Sequence, residues 1–200
     1  QEELAELVVG KVFGTLDNFP DEGPRHTFVY WNGTSKDLGA PLKGFFDEPL
    51  PELVGFDMNE AGMVVGYSQD PEDYNIAMHG FSATSQGDVR DLGHLGGGPT
   101  QALAIDPNSG RIVGWSLNGS MLQHAFLWDG VEMKDLGWMD FGRPNTSASD
   151  IVSGVEGTWI VGSGWSFTPE GKFGQQPHAF LLHYDPLTPN QTMTDLHNDA

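Results

Sequence analysis

Two hundred residues are enough for one domain with a continuous core, and 38% hydrophobic content with 11% aromatics excludes wholesale disorder despite 27 Gly and 13 Pro. A net charge of −19 lacks the Lys/Arg footprint that nucleic acid or an anionic membrane surface requires, and no run of roughly 18 apolar residues exists to cross a bilayer. The absence of cysteine excludes disulfides and thiolate metal sites. The acidic balance itself suits a soluble, well-hydrated surface. The chain begins with Gln1 and shows no signal-peptide pattern, which fits a processed secreted protein and equally an excised fragment.

Along the chain, only Glu2 to Leu7 has a short helical pattern; everything after it reads as strands and turns. Val8-Val9-Gly10 is the first of four Val/Ile-Val-Gly runs, followed by Val64-Val65-Gly66, Ile112-Val113-Gly114 and Ile160-Val161-Gly162. A His-x-Phe phrase begins at His26, His79, His124 and His178, and an Asp-Leu phrase at Asp37, Asp91, Asp135 and Asp195. In the third copy, His124 to Trp128 and Val131 to Leu136 flank Asp129-Gly130, the signal of a hairpin with a type I′ turn. Asn32-Gly33 and Gln86-Gly87 stand in the same place in the first two copies. A Gly/Pro-rich loop, His94 to Pro99, then leads to a strand over Ala102 to Asp106, a tight turn at Pro107 to Gly110, and a strand over Arg111 to Ser116.

Four short strands per unit of about 45–55 residues are the signature of a β-propeller blade. The expectation is an all-β, single-domain, four-bladed propeller with blades near 24–70, 77–118 and 122–166, and a last blade built from 176–200 plus 1–14. The N-terminus offers Val8 to Phe13 without a preceding hairpin, and the C-terminus offers the His178 to Leu196 hairpin without a following Val-Val-Gly strand. Their pairing would close the ring and remove two sheet edges. The same two pieces could instead be exchanged between molecules, giving a filament.

These phrases resemble the HAF family of probable extracellular repeats, whose unit runs His-Ala-Phe-Leu-Trp, Met-x-Asp-Leu-Gly, Ile-Asn-x-x-Gly-x-Val-Val-Gly. His124 to Trp128 with Met133 to Gly137 matches closely, and Leu92 to Gly97 with Ile105 to Gly114 supplies the rest. The resemblance covers about residues 8 to 197; it departs at Asp106 and near Ser153, and the first unit carries an insert, Ala40 to Leu53. It implies an extracellular or cell-surface location and a structural or adhesive role.

Three sets of residues could carry chemistry. The repeated histidines, His26, His79, His124 and His178, could ring the propeller axis and hold a transition metal. Repetition in every unit favours a structural pairing with Asp37, Asp91, Asp135 and Asp195 instead. No resident cofactor is expected; Ca²⁺ is the ion that Asp17, Asp21, Asp70 and Asp73 in the acidic connecting loops would hold, although such loops are more often simply solvated. Asp106 to Gly110 has the composition of a calcium loop but also that of a tight turn. Trp138, Asp140, Arg143, Asn145 and Trp165 combine aromatic faces with polar groups in the way that suits a glycan, against the alternative that the rings cap blade ends. No carboxylate pair or nucleophile–base arrangement stands out by spacing. The function expected is therefore a secreted, non-enzymatic interaction or scaffold module binding glycan or matrix. Beside it stand a self-associating filament subunit and a polysaccharide-active glycoside hydrolase or lyase.

Overall fold

The computed structural model describes residues 27–31, 34–39, 52–69, 78–139, 145–167, 173–188 and 191–197. Among them there is no helix; the fold is all-β. Sheet one is the hairpin β1 (Phe28–Trp31) and β2 (Thr34–Asp37). Sheet two holds β3 (Glu52–Met58), β4 (Val64–Gln69), β5 (His79–Ala83) and β6 (Val89–Asp91). Sheet three holds β7 (Gly96–Ile105), β8 (Ile112–Asn118), β9 (Gln123–Trp128) and β10 (Met133–Gly137). Sheet four holds β11 (Thr146–Gly154), β12 (Gly157–Phe167), β13 (Phe173–Tyr184) and β14 (Thr194–Asp195). Each four-stranded sheet is an antiparallel meander in chain order.

This grouping differs in phase from the units drawn on the sequence. Each described Val/Ile-Val-Gly strand pairs with the His-x-Phe strand that follows it, as β4 with β5, β8 with β9 and β12 with β13. The His178 to Leu196 hairpin is therefore already seated: β13 lies between β12 and β14 and leaves no vacancy beside it for an N-terminal strand. Val8 to Phe13, the other half of the expected closure, and the Glu2 to Leu7 lead-in lie outside the described residues.

Strand alternation sends successive side chains to opposite faces, and both faces of the inner sheets are apolar. In the described Val/Ile-Val pairs the first residue faces the preceding sheet and the second the opposite side, where Val65 and Val113 meet the following sheet. Val64 joins Val29, Leu38, Leu53 and Phe81 between sheets one and two. Val65 and Leu92 meet Ile112, Phe126 and Trp128 between sheets two and three. Val113, Leu127 and Leu136 meet Ile160, Phe180 and Leu182 between sheets three and four. The Phe of each described His-x-Phe thus plugs into the sheet before it, and Leu38, Leu92 and Leu136 of the first three Asp-Leu phrases cover the sheet after them. Phe81, Phe126 and Phe180 are all fully buried.

Two local expectations change. Asp129-Gly130 is not a type I′ turn, because only Gly130 has positive φ, at 98°. Asp129 keeps an ordinary backbone and instead accepts the Val131 and Glu132 N–H groups on its carboxylate, an Asx turn. The Gly/Pro segment after Leu95 is likewise not all loop. β7 begins at Gly96, where Gly96 and Gly98 adopt positive φ to bend the strand in.

The glycine of Val-Val-Gly has a steric cause. β3, β7 and β11 each carry a bulge opposite it, so a neighbouring carbonyl leans over the glycine Cα. A methyl on Gly66, Gly114 or Gly162 would strike the carbonyl oxygen of Val54, Gln101 or Ser147 respectively. Backbone cannot yield as a flexible side chain would. Gly114→Ala is expected to destabilise the domain by roughly 3 kcal/mol, measured by urea unfolding, while Gly119→Ala, where nothing lies within 4 Å, should change little.

Candidate functional site

The most regular polar feature is a clasp across the outer hairpin of each four-stranded sheet. His79 Nδ1 meets Asp91 Oδ2 at 2.6 Å, His124 Nδ1 meets Asp135 Oδ2 at 2.8 Å, and His178 Nδ1 meets Asp195 Oδ2 at 2.8 Å. The Asp has a second task. Its Oδ1 accepts a backbone N–H two residues on, from Gly93, Gly137 and His197, at 2.7, 2.7 and 2.8 Å. Asp37 receives Gly39 in the same way at 2.7 Å, whereas His26 lies outside the described residues. Gly39, Gly93 and Gly137 need positive φ to turn back on the carboxylate, which explains the glycine of Asp-Leu-Gly.

In two of the clasps these contacts favour the anionic carboxylate. For Asp91 and Asp195, burial pushes the pKa up, but the histidine hydrogen bond and the backbone N–H outweigh it and hold each carboxyl below its ordinary value. His124 is buried, with Nδ1 held by Asp135 and Nε2 3.3 Å from Asn118 Nδ2. The histidines therefore act within their own sheets as positioning groups. Among the described residues no three His, Asp or Glu side chains gather in a metal-binding arrangement. Asp17, Asp21, Asp70 and Asp73 all lie outside the described residues.

Asp106 belongs to a turn and a staple. It accepts N–H groups from Asn108 and Ser109, and across the seam it bonds the Ser153 N–H of sheet four. Burial raises its pKa, but these four hydrogen-bond contributions, from Ser109 backbone and side chain, Asn108 and Ser153, hold it low. Asp57 does the corresponding work one seam earlier, accepting Ile105 N–H at 3.0 Å. Neither inter-sheet role was legible in the sequence, since both partners lie nearly fifty residues away.

The aromatic candidates separate. Trp138, 51% exposed, follows β10 and tilts against the His124 ring with centroids 5.1 Å apart. Asn145 is exposed at the start of sheet four and bridges to Gln123, the residue before His124. These two share one end of the seam between sheets three and four. Trp165 bonds Asn145 through the backbone at 3.2 Å, but strand alternation in β12 puts its side chain on the far face of sheet four, the face that also carries Val161. Asp140 and Arg143 lie outside the described residues.

A cleft of about 360 Å³ opens between sheets two and three, lined by Met63, Ser82, Asp88, Arg90 and Trp128. Arg90 stacks 4.8 Å over the Trp128 ring and donates to the Gly130 carbonyl at 3.3 Å. The sequence signal for this contact is the basic residue two places ahead of Leu in Lys36-Asp37, Arg90-Asp91 and Lys134-Asp135. In the third unit, hydrogen bonds from Lys134 to Glu132 and Asp129 raise its pKa. Trp128 is buried, so the cleft wall is a cation–π lid and not an open stacking face.

Comparison with protein-family models, with curated proteins and with solved structures finds no match for this chain.

Two outcomes test the clasps. Asp135→Ala leaves the buried His124 Nδ1 without its acceptor and should cost roughly 1–3 kcal/mol in urea unfolding. The pH dependence follows from Asp91, Asp106 and Asp195, whose folded pKa values lie below the unfolded ones. Their stabilisation is complete above the unfolded carboxylate pKa of about 3.9 and is lost as pH falls through the lower folded values. Thermal unfolding followed from pH 6 to pH 2 should show a steep loss beginning near pH 4, shallower in Asp195→Asn.

Proposed function

We propose that this chain is a secreted, non-enzymatic interaction or scaffold module of the propeller type, with the sheets as blades and a glycan or matrix polymer as ligand. The observation that carries the reading is Trp138. Its exposed indole is braced by His124, which is itself clasped by Asp135, so an aromatic face is presented at fixed orientation with little entropy left to lose on binding. It also breaks the repeat. Three residues after the Asp stand Ala40, His94, Trp138 and Asn198, and a site specific to one unit is what ligand recognition in a repeat array requires. Asn145 beside it offers amide donors and an acceptor to sugar hydroxyls.

The resemblance to the HAF repeats supports an extracellular or surface location. The clustering of conformational constraint around the clasps, and not around a reacting centre, supports binding over turnover. Ca²⁺ in the acidic connecting loops stays part of the proposal as a structural ion only.

A glycan array followed by titration of the best hit monitored by tryptophan fluorescence tests this. Trp138→Ala should weaken retention by about thirty-fold, equivalent to roughly 2 kcal/mol for a buried aromatic anchor, with thermal unfolding unchanged. Depolymerisation of any polysaccharide in a broad screen would overturn the non-enzymatic reading. Equal binding by Trp138→Ala would overturn the site.

A further inference from the structure

The described sheets form an array whose two end faces are unmatched. Every seam joins the following-sheet face of one sheet to the preceding-sheet face of the next. On the following-sheet face, Val65 and Val113 are both 0% exposed, and Leu92 and Leu136 are 3% and 2% exposed. Their counterparts on sheet four are Val161, 40% exposed, and Leu196, 50% exposed. Leu181 and Trp165 extend the same face, since β12 and β13 pair Val161 with Leu181. On the preceding-sheet side, Phe81, Phe126 and Phe180 are fully buried, whereas Phe28 of sheet one is only partly covered. No buried cluster among the described residues joins sheet four to sheet one.

A polar contact repeats the same pattern. Asp57 sits just past the bulge of β3; its Oδ1 accepts the Met58 N–H, and its Oδ2 reaches the Ile105 N–H of the following sheet. Asp150 sits at the matching bulge of β11 and accepts the Ile151 N–H at 2.8 Å. Among the described residues its Oδ2 has no hydrogen-bond partner, whereas the Oδ2 of Asp57 has the Ile105 N–H of the following sheet.

We propose that the occupant of the sheet-four face is the sheet-one face of a second copy of this chain, joined head to tail so that Phe28 of one copy enters against Val161, Leu181 and Leu196 of the other. The argument is continuity with the established seams. The two end faces are the two halves of an interface this chain already builds three times, and each copy carries one of each. Two copies arranged about a two-fold axis would satisfy both pairs of faces at once and close a ring, an arrangement within the range of natural propellers. The joint is face to face and buries apolar surface, so it differs from an exchange of edge strands between termini. It also leaves Trp138 and Asn145 at the seam between sheets three and four, so sugar binding and assembly can fail independently.

The net charge of −19 opposes the approach of two copies, and screening should relieve it. Light scattering coupled to size exclusion on the full chain is expected to give twice 21.8 kDa, with the dimer fraction rising between 0.05 and 0.5 M NaCl, about a three-fold change in screening length. Val161→Asp, on an exposed position, should return the mass to that of the monomer with circular dichroism unchanged. Phe28→Asp should do the same from the other side. An equimolar mixture of the two variants then gives the decisive reading, because each retains the face the other lost. Recovery of a dimer in the mixture supports the head-to-tail seam, and a ladder of larger head-to-tail species in the native chain supports the same seam without the closed ring. A native chain that stays monomeric at all salt concentrations, or a mixture that stays monomeric, overturns the proposal. A Phe28→Asp chain that fails to fold is replaced by Phe28→Ser in the same mixture.

Discussion

Apolar burial between sheets is the interaction on which the rest of this molecule depends. Each four-stranded meander has two hydrophobic faces and cannot satisfy both alone, so its stability is borrowed from its neighbours. The three described seams use the same parts. A Phe from the later sheet is driven against the Val and Leu of the earlier one, with each Phe burying on the order of 150–200 Å². In such an array the folding free energy is close to a sum of unit and nearest-neighbour contributions. The polar contacts work to a different end. Asp57 and Asp106 reach across seams to satisfy backbone N–H groups of the edge strands β7 and β11, so they set the relative position of sheets whose attraction is otherwise undirected.

The His–Asp clasp supplies order within a sheet. β6 has only three residues and β14 only two, too few ladder bonds to hold an outer strand in register. One charge-assisted hydrogen bond from His79 or His178 fixes the end of each short strand, and the adjacent Asp-to-backbone bond ends it. The clasp thus positions the Leu between them, and through it the seam. Its repetition accounts for the histidines without invoking a shared metal.

Much of this was legible in the sequence because the repeat writes each constraint several times. His124, Phe126, Asp135 and Leu136 each occupy a role that could be recognised by recurrence alone, and the clasp partners follow from it. The phase of the units was not legible. A cyclic repetition of strand phrases has no internal mark for where a sheet begins, and only the pairing of β8 with β9 and β12 with β13 decides it. Asp129 was misread because an Asp-Gly pair can close a hairpin in two ways, and the carboxylate bonds to Val131 and Glu132 select the second. Trp165 looked like Trp138 in composition, yet strand alternation sends it to the other side of sheet four. Contacts such as Asp106 to Ser153 join distant residues and leave no local trace.

The tight turn that ends each Asp-Leu phrase bears on the residue that follows it. The Asp side chain closes on the backbone two residues later, and the position after that closure is put to a different use in each described unit: His94 accepts the Gly96 N–H, whereas Trp138 packs on the His124 ring. At His94 the side chain helps start the next sheet at Gly96, and at Trp138 it is half exposed, so one position serves two ends. Within this one chain, the Asp and Leu of the phrase recur in all four copies, whereas the position three after the Asp holds four different residues.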